Sequence, residues 1–244
     1  MKSQSRLLKP IRSSRLLVAH RRSAGTDLIL ATVLAGIAGA ANAGGFFALG
    51  QYTSHMTGYL SSLADNAAIL NIRMALISAL AVCAFAAGAI FSTILINWTR
   101  SHSRHRQYAW PLVIQGIIMA CFSLGGYLTS NAGQVFSLSC LCFIMGMQNA
   151  TITKISSARI RTTHATGMIT DIGIELGRAS YGFLRPGSGV KGDAHKLRIL
   201  LQLVAAFLLG GILGAIGFGL LGFFFSVPLA RILLSLGLPG VLRI

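Results

Sequence analysis

The sequence predicts an all-α integral membrane protein: six transmembrane helices as two inverted three-helix repeats, each with a short additional helix. Three observations predict it: a composition too apolar for a soluble fold, six apolar runs near spanning length, and a nine-residue motif that occurs twice. Of the 244 residues, 54% are apolar and 11% charged, against about 25% charged in soluble domains, and the mean hydropathy is +0.70. A soluble fold of this length cannot hide that much apolar surface, because most of an ordinary folded surface is already apolar. Soluble enzymes, disordered tails and disulfide-stapled secreted modules are excluded, and 28 glycines suit closely packed membrane helices.

The chain opens with a basic segment, residues 1–26, carrying Lys2, Arg6, Lys9, Arg12, Arg15, Arg21 and Arg22 without an apolar run. A span needs ~20 mostly apolar residues. Such runs cover residues 28–50, 74–98, 110–129, 135–152, 197–218 and 220–236, with Pro228 inside the sixth as a tolerated kink. Residues 20–43 imitate a secretory signal ending in Ala41-Asn42-Ala43, but the apolar run continues to Gly50, which argues against cleavage.

The basic residues orient these spans. There are 21 Lys and Arg against 5 Asp and Glu, a formal charge of +16, a balance that in a soluble protein would suggest nucleic acid. Arg100, Arg104 and Arg106 follow the second run. Lys154, Arg159, Arg161, Arg178, Arg185, Lys191, Lys196 and Arg198 lie between the fourth and fifth, and Arg231 and Arg243 near the end. With the N-terminus inside, six spans put all of these on or near the cytoplasmic face and leave only Arg73 outside, as loops rich in Lys and Arg require. The expected location is the bacterial inner membrane, with both termini cytoplasmic. The expected partners are the bilayer, anionic headgroups beside the basic loops and a small anion; a homo-oligomer is compatible, and nucleic acid is not expected.

Self-comparison finds the repeat. Thr53-Ser54-His55-Met56-Thr57-Gly58-Tyr59-Leu60-Ser61 returns as Thr162-Thr163-His164-Ala165-Thr166-Gly167-Met168-Ile169-Thr170, and Gly39-Ala40-Ala41-Asn42-Ala43 pairs upstream with Gly146-Met147-Gln148-Asn149-Ala150. The chain therefore divides into residues 27–131 and 132–240, with a tail at 241–244. Three spans per unit is an odd number, so the second unit enters from the opposite face, as in many secondary transporters.

The motif reads as a helix start, with Thr57 or Thr166 as N-cap and glycine allowing close approach. The following stretches, 58–70 and 167–177, are too short and polar to span; they either re-enter the bilayer or lie on its surface. Helix N-termini meeting near the midplane would hold an anion. Thr57, Gly58, Thr166 and Gly167 would supply donors, with Asn42, Asn149 and Gln148 lining the site or else bonding between helices. Asp65, Asp171, Glu175, His55 and His164 are candidates for ion or proton coupling. The competing reading pairs the acids with Arg73 or Arg178 at the interface and uses the histidines to close the turns. Cys83, Cys121, Cys140 and Cys142 read as buried small hydrophobes, their spacing fitting no zinc site. No nucleotide fingerprint, catalytic triad or metal motif occurs, so neither enzyme activity, cofactor nor metal is expected.

The Gly-Met-Gln-Asn-Ala block at 146–150, the block from Thr162 to Asp171 and the earlier Thr57-Gly58 resemble the YoaK family of small bacterial multi-pass membrane proteins, over about residues 27–222. The resemblance implies an inner-membrane location and no particular reaction, the family being one of unknown function. Where the family commonly carries Asn after the first Thr-Gly, this chain has Tyr59. The functional expectation is a small-solute, anion-preferring transporter or channel-like permease; the alternative is a non-transporting scaffold that binds lipid or a protein partner.

Overall fold

The structure, a computed structural model, describes residues 24–104, 106–128, 130–155 and 164–242. The basic segment 1–22, Arg159, Arg161, Arg243 and the second copy's Thr162 and Thr163 lie outside these. Among the described residues there are helices and no strand. In order they are α1 (Ala24–Leu49), α2 (Met56–Ala68), α3 (Ile72–His102), α4 (Ala109–Phe122) with a 3-10 turn (Ser123–Tyr127), α5 (Asn131–Ile155), α6 (Ala165–Leu184), α7 (Ala194–Leu221), a second 3-10 turn (Gly222–Phe225) and α8 (Ser226–Leu242).

Five stretches are long and apolar enough to cross a membrane: Gly25–Phe47, Ile72–His102, Ala109–Tyr127, Asn131–Ile155 and Ala194–Leu242. The last is 49 residues long and contains both runs that the sequence reading separates as fifth and sixth. Gly222 divides it, because its φ of +56° ends α7 in a conformation that side chains disfavour. The break falls later than expected, and it changes the role of Pro228. That proline sits in the first turn of α8, where its missing N–H costs nothing. The proline inside the helix is Pro239.

Helix packing follows one rule: the small-residue faces meet. α1 lies on α7, α3 on α5 and α4 on α8, while α2 leans on α3 and α6 on α7. A methyl group at Gly39 would run into the carbonyl of Phe207, and one at Gly146 into the carbonyl of Phe85; both sites bring backbone against backbone. Contacts at Gly210 with Gly36 and at Gly88 with Phe143 repeat the same geometry in reverse. The α1–α7 contacts climb together, from Thr32 with Gln202 to Gly44 with Phe218, so these helices run parallel. Those of α3 and α5 also climb together, from Gly88 with Phe143 to Ser92 with Thr151. By contrast α4 and α8 run antiparallel, Gly237 meeting Val113 and Gly116 meeting Leu234.

The core is centred on α1 and α5, where Leu30, Leu34, Leu141, Ile144, Met145 and Ile152 have no exposed surface. The outward faces of α3 and α7 are apolar as well, with Leu76, Ile90, Ile94, Leu208, Leu213 and Leu220 exposed. Exposed apolar faces of that extent suit lipid rather than water. Cys83 on α3 and Cys121 on α4 are exposed, contrary to the expected burial, and only Cys142 is buried; all four thiols are free.

Candidate functional site

The first motif copy is organised by Asn42, near the end of α1. Its amide oxygen accepts the backbone N–H of Thr53 and of Ser54 and the Ser54 hydroxyl, each at 3.0 Å. The expected bond between helices is instead a bond to the chain's own motif eleven residues on. It folds the segment between α1 and α2 back on α1. In the second copy, Asn149 donates to the Met145 carbonyl at 3.1 Å, and the counterparts of Thr53 and Ser54 lie outside the described residues.

Both short helices start two residues earlier than the threonine caps predict. His55 and His164 occupy the N-cap positions, with matching backbone angles (φ −93°, ψ 66° and φ −86°, ψ 60°) and no side-chain cap bond. Their carbonyls accept the N–H of Tyr59 at 3.1 Å and of Met168 at 3.0 Å. The rings do not close the turns by hydrogen bonding. Each lies over the glycine three residues on, so that a methyl group at Gly58 or Gly167 would meet the imidazole of its own histidine. The glycine is there to seat the histidine ring. Thr57 and Thr166 are exposed in the first turns, where backbone N–H groups lack intrahelical partners.

Tyr59 and Met168, one residue after each glycine, turn inward and are 5% exposed. Tyr59 packs with Ala81, Leu138 and Cys142, which anchors α2 across α3 and α5. Met168 joins the main core. The Tyr59 that departs from the family pattern is thus a packing residue.

α2 ends in a Schellman-type turn: the Asn71 N–H reaches the Asn66 carbonyl at 2.8 Å, with Leu70 at φ 57°. Asn71 then caps α3 by accepting from the Met74 N–H. Asp193 does the same for α7, accepting from His195 and Lys196 at 3.0 Å. α6 is longer than the sequence reading expects, 20 residues, because it continues through Arg178–Leu184 to rejoin α7 by a loop.

The candidate acids separate sharply. Asp65 is exposed and makes no ion pair among the described residues, so the anticipated pairing with Arg73 is not formed. Asp171 and Glu175 share one face of α6, and both reach Lys196 of α7, at 3.6 and 3.2 Å. Glu175 also accepts the Asp193 N–H at 2.9 Å and lies 3.6 Å from Arg178. Its side chain is 2% exposed, and it clamps α6 to the start of α7. The Asp193 N–H, with Lys196 and Arg178, holds the Glu175 carboxyl below the usual carboxylate range against the opposing effect of burial. The Lys196 and His195 N–H groups lower Asp193 likewise. Folded values below the unfolded ones mean that this stabilisation is full above about pH 4.3 and is lost as pH falls through the folded values. Glu175→Gln is expected to lower the unfolding temperature at pH 7, and the gap to the wild type is expected to close below pH 4. A constant gap in thermal scans across that range would contradict the clamp.

Gln148 is fully buried and donates to the Leu34 carbonyl of α1. Beside it on α5, Thr151 receives the Ser92 hydroxyl at 2.9 Å and the Gln115 amide at 3.4 Å, and gives its own proton to the Met147 carbonyl at 2.7 Å. Reading the motifs alone misses Ser92, Gln115 and Thr151. The signal for them is a polar side chain within an apolar run, which the sequence reading weighs only at Asn42, Gln148 and Asn149. No group of three metal-ligating side chains occurs among the described residues.

Gly58 and Gly167 do not face one another; each is closed over by its own histidine, and α2 and α6 lean on different helices. The structure therefore brings together Asn42 with the first motif, Asp171 with Glu175, and Gln148 with Leu34 of α1, but not the two glycines. A family model for a protein of unknown function matches residues 30–238, nearly the whole described chain. The chain belongs to that family, DUF1275. No curated protein and no solved structure matches it. Both motif copies and helices α2, α3, α5, α6 and α7 fall inside the DUF1275 match, which begins within α1.

Proposed function

We propose that this DUF1275 protein is a bacterial inner-membrane permease of six spans, built as two inverted repeats, that moves a small solute with a preference for anions. One observation carries the reading: the contacts are reciprocal. Gly39 of α1 meets Phe207 of α7 as Gly146 of α5 meets Phe85 of α3, and Val113 meets Gly237 as Gly116 meets Leu234. Exchanging the two halves maps each of these contacts onto another. Parallel α1 and α7, parallel α3 and α5, and antiparallel α4 and α8 are the directions that six alternating spans require. In such a pseudo-twofold arrangement one half can rock against the other around a shared site.

The anion preference rests on the starts of α2 and α6, whose first-turn amides have no side-chain cap and carry the positive end of each helix dipole. Thr57 and Thr166 add hydroxyls there. Glu175, engaged with Lys196 and Arg178, acts in this reading as a clamp on α6 rather than as a proton carrier. Uptake into proteoliposomes, screened over small inorganic and carboxylate anions, tests the proposal. Thr57→Val and Thr166→Val are expected to cut uptake by about tenfold, the value of one charge-assisted hydrogen bond. Uptake indifferent to both removes the motif from the mechanism, and no uptake of any anion removes the permease.

A further inference from the structure

The first half of α7 carries a groove that neither motif copy accounts for. Ala194, Leu197, Arg198, Leu201, Gln202 and Ala205 line it, and its volume is about 460 Å³. Their spacing of three and four residues places them on one face of the helix, and the exposed Leu208, Leu209 and Ile212 continue that face along α7. Gln202 donates to the Thr32 hydroxyl at 2.8 Å, which fixes this stretch against α1. Arg198 is the one charged residue of the lining. It is exposed and makes no ion pair among the described residues. The acids of α6 and of the α7 cap are engaged elsewhere, Asp171 and Glu175 with Lys196, and Asp193 with the first N–H groups of α7. A free guanidinium at one end of an apolar groove matches an amphiphile with an anionic head.

Helix packing does not demand that charge. By the reciprocal contacts, Phe207 and Gly210 of α7 correspond to Phe85 and Gly88 of α3, which matches Arg198 with Leu76 and Gln202 with Leu80. In the inverted arrangement the two matching faces open toward opposite leaflets, and the cation stands on the cytoplasmic one, whose surface is negative. We propose that the groove binds one anionic phospholipid of the cytoplasmic leaflet, Arg198 holding the phosphate while Leu197, Leu201 and Ala205 receive an acyl chain. Charge disfavours the other occupants. Residues 1–22 carry seven Lys and Arg and no acid, and a second copy docked isologously by this face would set Arg198 against its own equivalent. The choice of leaflet rests on the six-span orientation proposed above; nothing in the site depends on transport.

The test is native mass spectrometry of the full chain in neutral detergent, titrated with phosphatidylglycerol or with phosphatidylcholine of the same acyl chains. The wild type is expected to retain one phosphatidylglycerol saturably and several-fold more tightly than phosphatidylcholine, which carries the same phosphate beside a compensating cation. Arg198→Gln is expected to weaken that adduct about tenfold, the value of one charge-assisted hydrogen bond. Ala205→Phe fills the apolar part of the groove and is expected to weaken it several-fold at unchanged charge. Both positions are exposed, so lipid-free unfolding midpoints should match the wild type. Arg104→Gln removes an exposed cation of the loop between α3 and α4 and is expected to leave the adduct intact. Equal binding of the two lipids, or equal losses at Arg104 and Arg198, overturns the site, because the attraction is then diffuse. An adduct indifferent to Ala205→Phe overturns it too, and so does a dimer that this substitution dissociates, the face then belonging to a second copy. Selective lipid binding without anion uptake would leave this site standing and remove only the permease.

Discussion

Gly39→Val and Gly146→Val are each expected to destabilise the protein by about 3 kcal/mol or more, at or beyond the upper end of overpacking costs. At both positions the new side chain falls on a main-chain carbonyl, of Phe207 or of Phe85. A flexible side chain could swing aside; a carbonyl inside a helix cannot, so the two helices must separate. Separation of α1 from α7 or of α3 from α5 forfeits the dispersion contacts along the whole crossing. Gly173→Ala is the control, since nothing lies near that position and alanine is the better helix former by about 1 kcal/mol. Thermal unfolding in detergent should place both valine variants far below the wild type and the control at or slightly above it. The two losses should also be similar, because the contacts are mirror partners. A large loss at one site with none at the other would mean that the reciprocity is superficial.

Asn42→Leu is expected to be the next most damaging change, at about 2–3 kcal/mol. One amide oxygen serves three donors, two of them backbone N–H groups, and leucine leaves all three without an acceptor. Asn42→Asp keeps the acceptor and should recover most of the loss, whereas leucine would be the milder change if Asn42 merely filled space. Hydrogen exchange over residues 51–56 is the direct readout: fast in the leucine variant, close to the wild type in the aspartate variant. Equal protection in all three proteins would show that the motif holds its shape without Asn42.

Much of the architecture was legible because membrane solvent imposes a coarse rule, about 20 apolar residues per crossing. The first four apolar runs match helices α1, α3, α4 with its 3-10 turn, and α5 to within a few residues. The boundary between α7 and α8 was less legible, since apolarity continues across it and only the positive φ of Gly222 marks the break. The motif duplication was visible as identity, but its mechanics were not. Sequence spacing suggests threonine caps; the histidine cap with its ring seated on glycine depends on backbone angles that no pattern encodes. Asp171 and Glu175 were recognisable as one helical face, yet the clamp needed Lys196 and the Asp193 N–H from beyond a loop. The Gln115 cluster shows the same limit. Each member is an unremarkable polar residue in an apolar run, and only the packing of three helices joins Ser92, Gln115 and Thr151 into one network.

The crossed pairing of the long helices also bears on how the chain is made. α1 lies mainly on α7, and α3 on α5, so each motif-bearing unit lends a helix to the other. During synthesis from the N-terminus, α3 gains its partner when α5 emerges. α1 waits longer, with its small-residue face open until Ala194–Leu221 has been inserted. No half of the sequence completes itself, and the first long helix to enter the bilayer is among the last to be buried. A chain cut short before Leu221 would display that open face to the membrane, a mark by which unfinished copies could be told from finished ones.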